Sequence, residues 1–166
     1  MSRAHIGLGS NLGDPPAQIR VALEALERFG TVTARSSLYA TPPVGPPQPS
    51  YVNAAATLET ELAPEALLAM LKRLESELGR VQSPRWGPRF IDLDLLLYDD
   101  RILQSTLLTL PHPELHRRGF VLVPLVEIAG NALHPALGQT IAQLLTALSP
   151  REVAAIRRLD NPPATR

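Results

Sequence analysis

The first hundred residues run strand, helix, strand, strand, helix, strand, and that order predicts an α+β fold. Three observations carry the prediction. Ala4–Leu8 and Tyr51–Glu61 are apolar or β-branched runs of strand length, and Phe90–Tyr98 (FIDLDLLLY) alternates with period two. Two intervening segments repeat leucine, isoleucine and alanine at helical spacing. With 166 residues, 45% of them hydrophobic, the chain has enough apolar side chain for one core.

Each element has a local cause. Ala4–Leu8 is the first strand, and Gly9-Ser10-Asn11-Leu12-Gly13 reads as a turn that packs it against a helix. Asp14 stands at the N-cap of that helix with Pro15 at the first helical position. Ile19, Ala22, Leu23 and Leu26 form its apolar face, and Gly30 ends it. Thr31–Tyr39 reads as one strand, Thr41–Ser50 (TPPVGPPQPS) as a loop and Tyr51–Glu61 as a long strand. Pro64 opens a helix with Leu67, Leu71, Leu74 and Leu78 on one face, closed by Gly79.

Arg80–Arg89 reads as an irregular loop, and Phe90–Tyr98 as a strand with a further short one around Arg101–Leu103. Phe120–Ile128 stays open: its composition permits a strand, whereas Pro124 argues for a helical turn or an edge. Gln139–Leu148 is a short amphipathic helix, and Glu152–Leu159 reads as a final strand. The expected organisation is a single domain over residues 1–160 with a frayed tail at 161–166, a sandwich of the split-βαβ, ferredoxin-like kind.

Composition narrows the function. The chain has no cysteine, which excludes thiolate catalysis, iron–sulfur clusters and Cys-ligated zinc and fits a reducing cytoplasm. Sixteen basic and sixteen acidic residues cancel, so no field suited to nucleic acid is expected. No signal-peptide core or membrane-length apolar run is present, and a cytoplasmic location is expected. Lys72 is the sole lysine, so an anion site must rely on arginine forks. The 17 prolines cluster in loops, which marks those loops as stiffened and worth searching.

Asp92-Leu93-Asp94 is the sharpest local signal. On a strand the two carboxylates project from one face while Ile91, Leu93, Leu95 and Leu97 take the buried one. Adjacent carboxylates repel, and Mg²⁺ shared with phosphate would relieve that; a solvated pair of ordinary acids is the alternative. Arg80, Arg85 and Arg89 precede them, with Trp86 inside Arg85-Trp86-Gly87-Pro88-Arg89. Guanidinium groups grip phosphate bidentately and a tryptophan stacks on flat rings, so the block reads as a nucleotide-triphosphate and Mg²⁺ site. No phosphate-binding glycine loop with its lysine is present. Tyr51 and Asn53 share a strand face, and an aromatic plus an amide can hold a planar heterocycle or simply face solvent. His112, between Pro111 and Pro113, is held rigidly enough for a ligand contact or a structural role.

These segments, in this order, resemble the hydroxymethyl-dihydropterin pyrophosphokinase family: Gly9-Ser10-Asn11-Leu12-Gly13, Thr41-Pro42-Pro43 with Gly45, Tyr51-x-Asn53, Arg85-Trp86-Gly87-Pro88-Arg89-x-Ile91-Asp92-Leu93-Asp94, Pro111-His112-Pro113 and Arg118-Gly119-Phe120. The resemblance implies an α-β-α sandwich on a ferredoxin-like core with a mainly antiparallel sheet. It implies transfer of the β,γ-diphosphate of ATP to the hydroxymethyl oxygen of the dihydropterin, releasing AMP, in folate biosynthesis. Asp92 and Asp94 would bind two Mg²⁺ ions, and Arg80, Arg85 and Arg89 would act on the triphosphate. ATP would also meet Lys72, Glu75, Trp86, Leu95, His112 and Arg118. The pterin would meet Thr41, Pro42, Val44, Tyr51, Asn53, Trp86, Asp92 and Phe120. The implied partners are these two small molecules, with no nucleic acid, no membrane and a monomeric state.

The chain departs from the family's pattern at Gln82, where many members carry a second arginine. Two other functions share parts of this pattern. A metal-dependent glycosyltransferase also uses Asp-x-Asp but needs a larger nucleotide domain. A pterin or nucleotide sensor would bind without forming AMP, and the intact Asp92, Asp94, Arg85 and Arg89 argue against it.

Overall fold

Strand β1 (Ser2–Ser10) runs through the middle of an antiparallel sheet, with Ala4, Ile6 and Leu8 buried on one face and His5, Gly7 and Gly9 on the other. The computed structural model describes residues 1–42, 50–80 and 91–159, with Arg80 described by its backbone alone. After β1 comes helix α1 (Pro15–Ala25), where the Asp14 carboxylate accepts from the Ala17 N–H at 3.2 Å and Pro15 opens the first turn. A short 3₁₀ turn follows, and Gly30 ends it because a β-carbon there would lie 2.1 Å from the Glu59 carbonyl oxygen.

The expected single strand over Thr31–Tyr39 is two, β2 (Thr31–Arg35) and β3 (Tyr39–Thr41). Ser36 explains the break: its N–H donates to the Ala55 carbonyl while its hydroxyl accepts from the Ala55 N–H, so a side chain replaces main chain in the ladder. Strand β4 (Tyr51–Thr60) pairs with β1, β2 and β3. Helix α2 (Pro64–Arg80) buries Leu67, Leu71 and Leu74 and continues past Gly79, which therefore does not close it.

Strand β5 (Asp92–Tyr98) forms the far edge beside β1. Strands β6 (Leu103–Gln104) and β7 (Thr109–Leu110) make a hairpin, followed by helix α3 (Gly119–Ala129). The open segment 120–128 is thus helical, with Pro124 inside; it has no N–H to donate to the Phe120 carbonyl four residues back. A second hairpin, β8 (Leu133–His134) and β9 (Gln139–Thr140), leads into α4 (Ile141–Thr146), capped by a reciprocal Thr140–Gln143 box. The expected last strand over 152–159 instead begins as the end of a short helix, α5 (Pro150–Ala154), and only β10 (Arg157–Arg158) pairs on β3. Pro150 at the first helical position explains the start of α5.

The main sheet has the order β10-β3-β4-β1-β5, with β2 also on β4, and every pairing is antiparallel. Its two faces carry separate cores. Ile6, Leu8, Ala56, Leu58, Leu93 and Leu95 pack with Ile19, Leu23, Leu67 and Leu71 of α1 and α2. On the opposite face Ala55, Leu96 and Leu97 pack with Leu122 and Leu125 of α3 and Ile141 and Leu144 of α4. One strand serves both because the β1–β5 register slips between His5 and Ile6. Beyond the slip the alternation reverses, so Leu97 joins the α3 side rather than the face of Leu93 and Leu95 as expected. Glu127 ties α3 to the sheet: its carboxylate accepts from the Ser37 N–H and hydroxyl, both at 2.9 Å, and from the Tyr39 hydroxyl at 2.7 Å.

Candidate active site

Two rows of residues cross the sheet side by side on the α3 face. Strand register sets Asn53 of β4 opposite Gly9 of β1 and Gly9 opposite Asp92 of β5; the next row on that face is Ala55, Gly7 and Asp94. Neighbouring strands lie about 4.8 Å apart, so Asn53 and Asp92 stand about 10 Å apart across a glycine. A cavity of about 500 Å³ opens above this floor. Gly7 and Gly9 form its base, Thr41, Pro42, Tyr51 and Asn53 one wall, Asp92 and Asp94 another, and Arg118 with Phe120 and Val121 of α3 the third.

The glycines are in the strand, not in a turn against α1, and this is what the sequence reading of Gly9 missed. A β-carbon on Gly9 would lie 2.8 Å from Asn53 Nδ2, so any larger residue displaces that amide. Asn53 is 7% exposed, its Nδ2 makes a 3.5 Å contact to the Leu8 carbonyl, and its Oδ1 has no partner among the described residues. Among the described residues the buried Thr41 Oγ1 and, at the end of β1, Ser10 Oγ and both amide atoms of Asn11 are also unpaired. Each such group costs about 1–3 kcal/mol when buried without a partner, and those beside the cavity recover that cost when a ligand with a polar edge binds.

The carboxylate wall is built from the other face of the same strand. Glu75 of α2, nearly buried, accepts the outward Leu93 N–H, and Lys72 donates to the Leu93 carbonyl at 3.1 Å. Lys72 also bonds Glu75 at 3.1 Å and lies 3.9 Å from Asp94 Oδ1. The pair thus clamps the peptide between Asp92 and Asp94 at the sheet's free edge. Leu95 points into the core at 2% exposure, so its side chain is not available to a ligand.

His112 reaches the same corner. Its main-chain N–H donates to the Leu96 carbonyl at 3.0 Å, and its ring Nδ1 accepts from the Glu114 N–H at 3.1 Å, which leaves Nε2 as the protonated nitrogen of the neutral ring. Burial lowers its pKa, with Arg118 adding to the effect and Asp94 opposing it. Arg118 also lies over the Phe120 ring, 5.7 Å from its centre.

Among the predicted site residues, Thr41, Pro42, Tyr51, Asn53, Asp92, Asp94, Arg118 and Phe120 therefore meet at one cavity, with Lys72, Glu75 and His112 beside it. Val44, Arg85, Trp86 and Arg89, and the side chain of Arg80, lie outside the described residues. Among the described residues no three His, Asp or Glu side chains cluster as a metal cage. Two carboxylates still suit Mg²⁺, which takes one or two of them and fills its remaining positions with water and phosphate oxygen.

An α-β-α sandwich with an aromatic, amide and carboxylate pocket on one sheet face defines the class as a small-molecule enzyme of the α+β type. The chain belongs to the 7,8-dihydro-6-hydroxymethylpterin-pyrophosphokinase (HPPK) family, whose model matches residues 5–130. It is 47% identical over 148 residues to the 2-amino-4-hydroxy-6-hydroxymethyldihydropteridine pyrophosphokinase of Haemophilus influenzae, covering 87% of this chain and 92% of that one. The protein of that name from Methylorubrum extorquens is 42% identical over 94% of this chain and 99% of its own length. A Plasmodium falciparum HPPK-DHPS structure with pteroate superposes with a TM-score of 0.76 at 16% identity. That match covers 95% of this chain but only 45% of the solved one, and at such identity it bears on the fold alone. The chain is an ATP-dependent diphosphotransferase of folate biosynthesis. No helix among the described residues is long and apolar enough to cross a membrane.

Proposed function

We propose that this chain transfers the β,γ-diphosphate of ATP to the hydroxymethyl oxygen of 6-hydroxymethyl-7,8-dihydropterin and releases AMP. The observation that carries the reading is the Asn53–Gly9–Asp92 row, which joins a polar reader for a flat ring to a carboxylate pair on one cavity floor. Tyr51 and Phe120 hold the ring between them, Asn53 and Thr41 bond its polar edge with atoms that are unpaired among the described residues, and Pro42 lines the apolar side, with Val44 assigned to the ring by the family resemblance alone. The β-α-β-β-α-β order with strands β5, β1, β4 and β2 side by side supports a ferredoxin-like core, and residues 1–160 as one domain.

Asp92 and Asp94 would hold Mg²⁺, two ions in all, whose positive charge offsets that of the phosphates. The chain's own part is positioning. Arg80, Arg85, Arg89 and Arg118 neutralise the triphosphate, with Lys72, Glu75, Trp86, the main chain at Leu95 and His112 around the nucleotide. The hydroxymethyl oxygen then attacks the β-phosphorus in line. The bond from that phosphorus to the oxygen it shares with the α-phosphate breaks, AMP leaves with that oxygen, and the hydroxyl proton is released.

AMP formation with purified protein, Mg²⁺, ATP and the dihydropterin tests this. Pterin-dependent AMP without ADP is expected, and Asp94→Ala should lower the rate by about 10²–10³-fold. ADP as the product, or AMP that forms without the pterin, would refute the reading.

A further inference from the structure

The segment 150–159 lies beyond the stretch matched by the family model, yet it touches two walls of the cavity. Its first hold is on α3. Arg118, the N-cap residue, makes no capping hydrogen bond with its side chain, and the first turn of α3 carries no acidic residue. Glu152 of α5 supplies both functions from 33 residues away: its Oε2 accepts the Gly119 N–H at 3.0 Å. A carboxylate there pairs an otherwise orphaned donor and faces the positive end of the helix. Gly119 makes the approach possible, since a β-carbon would sit 3.0 Å from Ile156 Cδ1 and 3.1 Å from Glu152 Oε2.

The second hold is on β3. Arg157 and Arg158 pair with Ala40 and Tyr39, and the Leu159 N–H donates to the Leu38 carbonyl at 2.8 Å. Strand β3 ends at Thr41, followed by Pro42, and both line the cavity. One ten-residue segment therefore fastens the first turn of α3, which carries Phe120 and Val121, and the strand that presents Thr41. Glu152 itself does not line the cavity.

We propose that Glu152 is a positioning residue for the dihydropterin: it fixes the first turn of α3 and so the distance across which Phe120 faces Tyr51. This rests on the reading of that pocket as the pterin site. On the nucleotide side, Lys72, Glu75, Asp92 and Asp94 stand on α2 and β5, which Glu152 does not contact, and only Arg118 adjoins the held turn, so the effect falls mainly on the dihydropterin.

Three variants test it: Glu152→Ala, Glu152→Gln, whose amide oxygen still accepts from Gly119, and Arg151→Ala as a neighbour on the same helix. Glu152→Ala should raise KM for the dihydropterin about fivefold with KM for ATP within about twofold, the size expected for a lost cap. It should also speed hydrogen exchange of the amides at 119–122, while Glu152→Gln recovers most of both effects and Arg151→Ala changes neither. An unchanged dihydropterin KM in Glu152→Ala, or equal rises in both KM values, overturns the proposal. Should the wild type form no AMP, the assigned reaction fails. Exchange at 119–122, with direct titration of dihydropterin by its own fluorescence, then still decides whether Glu152 holds the pocket.

Discussion

Gly9 sets the tightest constraint at the site, because its neighbour across the ladder is the side chain that reads the ligand. Gly9→Ala should leave the fold intact but push Asn53 aside, raising the dihydropterin Kd by about tenfold with nucleotide binding unchanged. Titration of the variant with each substrate separately checks this, and an unaltered dihydropterin Kd would show that Asn53 does not contribute. Asp92, Asp94, Tyr51 and Asn53 were legible in the sequence because a strand places alternate residues on one face whatever its partners. Gly7 and Gly9 were not. A glycine's role depends on what stands beside it in the sheet, and only the register with Asn53 and Asp92 gives that. Glu75 was expected at the nucleotide, and its visible bonds are to Leu93 and Lys72, a pairing no sequence spacing announces.

Edges and helix ends are where elements escaped sequence reading. Strand β5 is an edge strand whose outward peptide at Leu93 is covered by two side chains of α2 rather than by another strand. Glu75→Ala removes that cover, and a loss of about 1–3 kcal/mol in urea unfolding is expected, the cost of an unpaired buried N–H. An unchanged midpoint would mean that water or Lys72 takes over the bond. The helices α1 and α2 were readable from caps and from leucines three or four residues apart, whereas α3 was not. It is apolar nearly all round, because the sheet and α4 cover it, so no stripe distinguishes helix from strand. Its interior proline reinforced the ambiguity. The segment 31–39 is rich in β-branched residues early on and reads as one strand, and the break at Ser36 comes from one hydroxyl bonded across the sheet to Ala55.

Across the whole molecule, acid sensitivity follows from imidazoles buried while neutral. His5, 7% exposed beneath the α3 face, bonds Thr57 Oγ1 at 3.0 Å, and burial with the nearby Arg3 pushes its pKa down to about 4 from 6.5. The unfolded chain therefore takes up this proton first. The stability this site contributes is complete above pH 6.5 and falls as pH drops through 6.5 towards 4, by about 3 kcal/mol at most. His112 and His134 are shifted the same way by burial and steepen the trend. Chemical denaturation of His5→Gln between pH 7 and 4 should show a shallower decline than the wild type, and identical slopes would assign the acid loss elsewhere. The two-sided sheet that buries His5 also dictates how the pocket can change over time. Its floor is main chain at Gly7 and Gly9, which point mutation alters only by adding bulk that obstructs the natural substrate as well. An inhibitor seated down to that floor would face resistance only from the walls, at positions such as Thr41, Tyr51, Phe120 and Val121.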